Sequence, residues 1–271
     1  MRTLAWLHNH ELETGGIEAW NDYGKAYPEV TGYLIPSMFQ HGAYDLALRC
    51  ADWLVSIQQG NGGFLGLDGE FHVFDTAACF EGLWAAYQET RGVKYLDAAL
   101  KAQKYIEGCE TSEGYLKRSH TDRVTKLYTM RASGVIGSKS GADYWRGVEW
   151  YENGKQRAHY LAYACEGYLR LHEKKTVEIW LERMKLAIRP DGFMPYHVIA
   201  KGGGEGSDTT ATLQWAILYH KFGMKSYAQL LRNAAETVIQ DNGGLWHDLT
   251  DHREIAWAAK YYLDLVTEMG Q

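Results

Sequence analysis

The stretch GSDTTATLQWAILYHKFG, residues 206–223, decides the fold. It opens on capping residues and then runs apolar on nearly every face, as a helix enclosed by other protein does. FDTAACFEGLWAAYQETRG, residues 74–92, begins with the same Asp-Thr and has the same character. HYLAYACEGYLRL (159–171) and IAWAAKYYLDLV (255–266) belong to the same class. Their Ala and Gly residues let neighbouring helices approach closely.

Ahead of these segments a small turn recurs five times: TGGIEAW (14–20), NGGFLG (61–66), SEGYLK (112–117), PDGFMPY (190–196) and NGGLWHD (242–248). Glycines 16, 63, 114, 192 and 244 stand 47, 51, 78 and 52 residues apart. A fixed period of this length marks a repeated helical unit. The helix before each turn is a different kind. In 43–58, Leu46, Cys50, Trp53, Leu54 and Ile57 form one apolar stripe, and Tyr227, Leu230, Leu231, Ala234 and Val238 do so in 224–239. One stripe opposite a polar face places a helix on the outside.

The unit is therefore outer helix, Gly turn, inner helix. The first helix, about 2–12, is outer and lacks an inner helix before it. The last, about 252–268, is inner and lacks an outer one after it. Together they complete a unit, which predicts a closed ring: an all-α, single-domain α/α toroid over 1–271. About five hairpins are expected. The segment 116–150 lacks a clean helical period and reads as a long irregular insertion, either a functional loop or a worn sixth hairpin.

Composition fits this reading. The chain has 271 residues and 46% apolar residues, enough for a real core. The net charge of −6 and the absence of a basic run argue against a nucleic-acid partner. Four dispersed cysteines (Cys50, Cys79, Cys109, Cys165) form no CxxC pair and read as reduced and packed. No metal site and no cofactor is expected. No run approaches a membrane span, and the first residues, MRTLAWLHNHELETGG, do not resemble a leader peptide. A cytoplasmic protein is the expectation; the oligomeric state is left open.

In such a ring all inner helices run parallel, so their N-termini meet at one mouth beside the Gly turns. Asp75 and Asp208 read as N-caps there. Several converging N-termini favour an anionic ligand, although acidic caps offset part of that field. Glu29, Asp75, Asp208 and Glu254 form a pool of carboxyls for general acid and base in glycoside hydrolysis. His159 and Tyr160, with Arg157 and Arg146 to hold an acid, form a pool for proton abstraction beside a carboxylate. His159 also fits a hydrogen-bonded core histidine. Trp20, Tyr23, Tyr27, His120, Trp145, Trp150, Tyr163, Tyr196, Trp246 and His252 complete the candidate binding set. With 10 Trp and 19 Tyr, the chain has aromatics to spare for sugar faces. Trp53, Trp84, Trp180 and Trp215 read as core, and Glu81 and Glu166 as groups that pack between helices.

The Gly turns between paired helices resemble the toroid repeats of terpenoid cyclases and protein prenyltransferases. YPEVTGYLIP (27–36), RAHYLAYACEGYL (157–169) and SDTTATLQWAILY (207–219) are more similar to toroid proteins associated with polysaccharide biosynthesis and to α/α-barrel glycoside hydrolases, lyases and uronyl epimerases. The resemblance covers residues 14–265 and implies fold more than reaction. The chain has no DxDD motif, and Asp75 and Cys79 lie four apart where prenyltransferases have Asp-x-Cys. It also leaves no room for the β-sandwich domain of many toroid lyases. The resemblance implies an enzyme that cleaves or modifies an acidic oligo- or polysaccharide. A glycan-binding or assembly protein without chemistry, or an isoprenoid-binding protein, are the alternatives.

Overall fold

The computed structural model describes residues 1–270. Six inner helices form the barrel: α2 (Pro28–Gln40), α4 (Val73–Thr90), α6 (Thr129–Val135), α8 (Ala158–Arg170), α10 (Thr209–Lys221) and α12 (Ala256–Met269). Six outer helices surround them: α1 (Arg2–Asn9), α3 (Tyr44–Ile57), α5 (Val93–Gly108), α7 (Lys139–Arg146), α9 (Lys174–Lys185) and α11 (Lys225–Glu236). Each inner helix packs on the next, and α12 packs back on α2 and on α1. The ring is closed as expected, and its ends meet. Among the described residues no helix is long and apolar enough to cross a membrane.

The ring has six hairpins, not five. The sixth is α6 with α7, inside the segment read as irregular. These helices have only 7 and 8 residues. Two turns of helix give a periodicity too little length to register. The connection from α7 to α8 also lacks the Gly turn. It carries instead Asn153-Gly154 and strand β1 (Lys155–Arg157), which pairs antiparallel with β2 (His197–Ile199), itself paired with β3 (Gly204–Glu205). The 78-residue interval is thus two compressed hairpins.

The Gly turns share one hydrogen-bond pattern: Gln59 N–H donates to the Gly63 carbonyl and Gly62 N–H to the Gln59 carbonyl, with the same pair at Gln240, Gly243 and Gly244. Gly62 and Gly243 sit at φ +88° and +94°, where a side chain is strained. This pattern sets the register at glycines 15, 62, 114, 192 and 243. The second glycine of each GG pair, used to space the repeat above, corresponds to Tyr115 and Phe193 in the other two turns.

Each of three turns is pinned to its inner helix by a threonine. The hydroxyls of Thr31, Thr76 and Thr212 accept from the N–H groups of Ile17, Phe64 and Met194 at 2.9, 3.2 and 3.0 Å. Thr76 therefore matches Thr212, not Thr209. The two Asp-Thr openings are one helical turn out of register, and only Asp208 is an N-cap, accepting from Ala211 N–H at 2.8 Å. Asp75 lies inside the first turn of α4, whose N-cap is His72.

Inner helices meet almost backbone to backbone at Gly167, where a Cβ would stand 2.2 Å from the Met130 carbonyl oxygen. Below the mouth, fully buried Arg131 on α6 pairs with Glu81 (2.6 Å, from α4) and Glu166 (3.0 Å, from α8). Those two carboxylates, read as packing groups, hold the buried charge of the short helix. Trp53, Trp180 and Trp215 are buried, whereas Trp84 is 37% exposed and packs on Phe80 and Tyr87 of its own helix.

Candidate active site

The mouth is a cavity of about 380 Å³ at the N-termini of the inner helices. A simple rule builds it. The N-caps of all six inner helices, Tyr27, His72, Tyr128, Arg157, Asp208 and Ile255, line its wall. Residues two places further on add Glu29, Phe74, His159, Thr210 and Trp257. The N-cap backbone is extended at most of these positions, and the first turn follows at once. Both side chains therefore reach the funnel from opposite sides of the helix start.

One wall is acidic. Tyr27 Oη donates to Asp75 Oδ2 at 2.9 Å, and Trp257 Nε1 donates to Glu29 Oε1 at 3.2 Å. Burial raises the Glu29 carboxyl to about 7, against the lowering effect of its donors and of Arg131. Burial, reinforced by the nearby charge of Glu29, holds Asp75 well above the ordinary carboxyl range. Tyr27 is raised by burial and by both carboxylates, so it keeps its proton.

The facing wall is built on α8 and α10. His159 Nδ1 lies 2.6 Å from Gln214 Oε1, and burial depresses the imidazole to about 4. It is therefore neutral at physiological pH. Arg157 lies 3.7 Å from Asp208 and stacks over the rings of Tyr196 (4.2 Å) and Tyr160 (5.0 Å). Trp20, Trp257 and Tyr27 form an aromatic side, with Arg253 above Trp20 at 5.4 Å.

Ten of the eighteen residues singled out above meet in this cavity: Glu29, Asp75, His159, Tyr160, Asp208, Trp20, Tyr27, Arg157 and Tyr163 line it, and Tyr196 lies beneath Arg157. Tyr23 packs on Trp20 at 3.9 Å. Seven lie elsewhere. Glu254 accepts from Trp6 Nε1 and Asn242 Nδ2, tying the last Gly turn to α1. His120 bonds the Tyr105 carbonyl at 2.9 Å. Trp145 and Trp150 are buried under the outer layer, with Trp150 stacked on Trp180 at 4.4 Å. Arg146 pairs with Asp143 and Glu173 on the surface. Trp246 and His252 stack on one another at 3.9 Å away from the cavity. The sixth hairpin accounts for three of these: read as a loop, 116–150 was free to reach the mouth, but Trp145, Arg146 and Trp150 are taken up by α7 and the packing beside it, and from this segment Tyr128, at the N-cap of α6, lines the cavity.

His72, Phe74, Tyr128 and Thr210 also line the cavity. Their signal was in the sequence. Each occupies the offset from a helix start that Tyr27 and Glu29 occupy in α2. Finding them needed the true N-cap of α4 and the existence of α6. Among the described residues no three His, Cys, Asp or Glu side chains gather as a metal would require.

No protein-family model matches this chain, and no curated protein matches it by sequence. Solved structures do match over nearly its whole length. A novel alpha-amylase from Clostridium perfringens superposes with a TM-score of 0.76 at 12% identity, covering 99% of this chain and 98% of that one. An unsaturated glucuronyl hydrolase specific for heparin gives 0.74 at 13% identity, covering 98% and 94%. A sugar epimerase from a ruminal bacterium gives 0.70 at 10% identity, covering 98% and 96%. The chain shares the α/α-toroid fold of these proteins.

Proposed function

We propose that the mouth is the active site of a carbohydrate-active enzyme, a glycoside hydrolase acting on an acidic oligo- or polysaccharide. The observation that carries this is the Glu29–Asp75 pair. Two buried carboxyls stand on adjacent inner helices, Glu29 titrating near neutrality and Asp75 raised well above its ordinary value by burial and by the charge of Glu29. That division gives a general acid and a base or nucleophile at one pH. Asp75, hydrogen-bonded to Tyr27, donates the proton to the departing glycosidic oxygen. Glu29, ionised above about pH 7, acts on the anomeric side. Trp20, Trp257 and Tyr27 offer ring faces to the sugar, and the rim carries polar donors, as saccharide recognition requires.

The preference for an acidic sugar rests on charge. With Asp75 protonated and Glu29 partly so, Asp208 is the remaining carboxylate of the lining. Against it stand Arg157 and the inner-helix N-termini, while Arg253 is already paired with Asp251. The structural likeness to a hydrolase of unsaturated glucuronides is consistent with that preference.

A second reading has its own observation. His159 is a neutral imidazole on the wall opposite the acid. It can remove the proton beside a uronate carboxylate while Arg157 stabilises the enolate, and Asp75 can return a proton on the other face. That is epimerase or lyase chemistry, and one neighbour is a sugar epimerase.

Incubation with acidic and neutral oligosaccharides, followed by mass spectrometry, reducing-end assay and ultraviolet absorbance of unsaturated uronates, separates these. New reducing ends without an unsaturated product support hydrolysis. An unsaturated product, or deuterium exchange from solvent without cleavage, moves the assignment to the second reading. Saccharide binding with no chemistry in any assay would overturn both.

A further inference from the structure

The geometry points to Gln214 as a positioning residue that fixes His159 as its Nδ1–H tautomer, leaving Nε2 as the lone-pair nitrogen facing the mouth. It rests, as to its use in turnover, on the reading of the mouth as a reaction site. The tautomer itself does not.

The argument starts at the barrel axis. Arg131 is fully buried and bonds Glu166 through Nε at 3.0 Å. Tyr261 Oη donates to the same oxygen at 3.1 Å. These partners, with burial opposed chiefly by the charge of Arg131, keep Glu166 ionised. An ionised carboxylate only accepts hydrogen bonds. Glu166 Oε1 must therefore face the amide nitrogen of Gln214, which lies at 2.9 Å. This fixes the amide, whose two ends are otherwise interchangeable. Gln214 Oε1 is then the atom 2.6 Å from His159 Nδ1. An amide oxygen cannot donate, so Nδ1 carries the proton.

Nε2 makes no hydrogen bond among the described residues and is not sealed from solvent. The ring lies on the cavity wall. Around it stand Asp208 and Arg157, with His247 on the loop after α11 and the Tyr160 and Tyr163 rings on its own helix. None donates to Nε2. A buried glutamine between a carboxylate and an imidazole thus passes on a direction rather than a charge. A carboxylate at position 214 would make the imidazole cationic, whereas an amide keeps it neutral and oriented.

The test is nitrogen-15 NMR of protein labelled at histidine, with the His159 signals identified by their loss in His159→Gln. The wild-type protein is expected to show a protonated Nδ1 and a bare Nε2 near neutral pH. In Gln214→Met, which keeps length and removes both polar groups, the tautomers should mix. In Gln214→Glu the ring should become cationic at a pH where wild type is neutral. A wild-type signal with the proton on Nε2, or an unchanged tautomer in Gln214→Met, would overturn the assignment. The wild-type spectrum alone decides if both variants fail to fold. Where the saccharide is turned over by proton abstraction at His159, Gln214→Met should lose about tenfold to a hundredfold in kcat with KM little changed, a fraction of what a placed base supplies; where Glu29 and Asp75 carry hydrolysis, kcat should change little. The expected tautomer in a protein that transforms no saccharide would leave this assignment standing and remove the proposed function instead.

Discussion

Tyr27 Oη and Asp75 Oδ2 are 2.9 Å apart, and this bond ties the N-cap of α2 to the first turn of α4. It favours the ionised carboxylate, but burial outweighs it and Asp75 remains raised. Removing the donor therefore pushes Asp75 further up.

In Tyr27→Phe the alkaline limb of the kcat/KM profile should move to higher pH, since the acid keeps its proton longer. Turnover should fall about tenfold or more because the carboxyl is less well aimed. Stability should fall by only about 1–3 kcal/mol. A shift of that limb to lower pH would show that Tyr27 acts on Asp75 in another way.

Glu29 makes a prediction about stability alone. Its folded value of about 7 exceeds the ordinary 4.5, so between those values the folded protein holds a proton that the unfolded chain has released. Stability from this group is present at low pH and is lost as pH rises through the window, by up to about 3 kcal/mol. His159, depressed to about 4, works in the opposite sense, losing stability as pH falls below its unfolded value. Comparison of Glu29→Gln with wild type isolates the carboxyl. By denaturant titration the variant should match wild type near pH 4, below the ordinary value of 4.5, and exceed it at pH 8. A variant less stable at pH 8 would mean that the Glu29 carboxylate is charged and stabilising in the fold.

Arg131 sits between Glu81 and Glu166 with almost no solvent. Arg131→Met leaves Glu81 to Arg170 and Glu166 to Gln214 and Tyr261, and should cost about 2–3 kcal/mol. Adding Glu81→Gln should return part of that loss. A single variant with near wild-type melting would show the pairs to be idle.

Asp208 has two attachments, the cap on Ala211 N–H and the contact with Arg157. Asp208→Ala should lose about 1 kcal/mol of stability through the cap. Its loss of turnover should be larger, because Arg157 is released from its place over Tyr160 and Tyr196. Equal losses in folding and activity would assign Asp208 to structure alone.

The sequence carried the architecture where its signals were long. Thirteen- to eighteen-residue inner helices such as α4 and α10 are apolar all round, and the glycines after outer helices recur. It hid α6 and α7 because two helical turns cannot show a period, and the turn between α7 and α8 has no paired glycine. It also offered a false match. Asp75-Thr76 and Asp208-Thr209 look alike, yet the threonine that grips the Gly turn is Thr76 in one helix and Thr212 in the other. Both aspartates still reach one cavity, since a residue at an N-cap and one three places on both face the mouth. The residues lost from the candidate site, Trp145, Trp150 and Arg146 among them, came chiefly from the segment whose helices were invisible. Which wall holds a raised carboxyl and which a depressed imidazole depends on burial, and burial is a property of the closed ring.

The central claim is that Asp75 delivers a proton to a saccharide bound in the mouth. Asp75→Asn keeps the shape and the Tyr27 contact while removing the acid. Measured by calorimetry and product formation on the same acidic oligosaccharide, it should bind within about threefold of wild type and turn over at least about a hundredfold more slowly. Turnover equal to wild type would contradict the account.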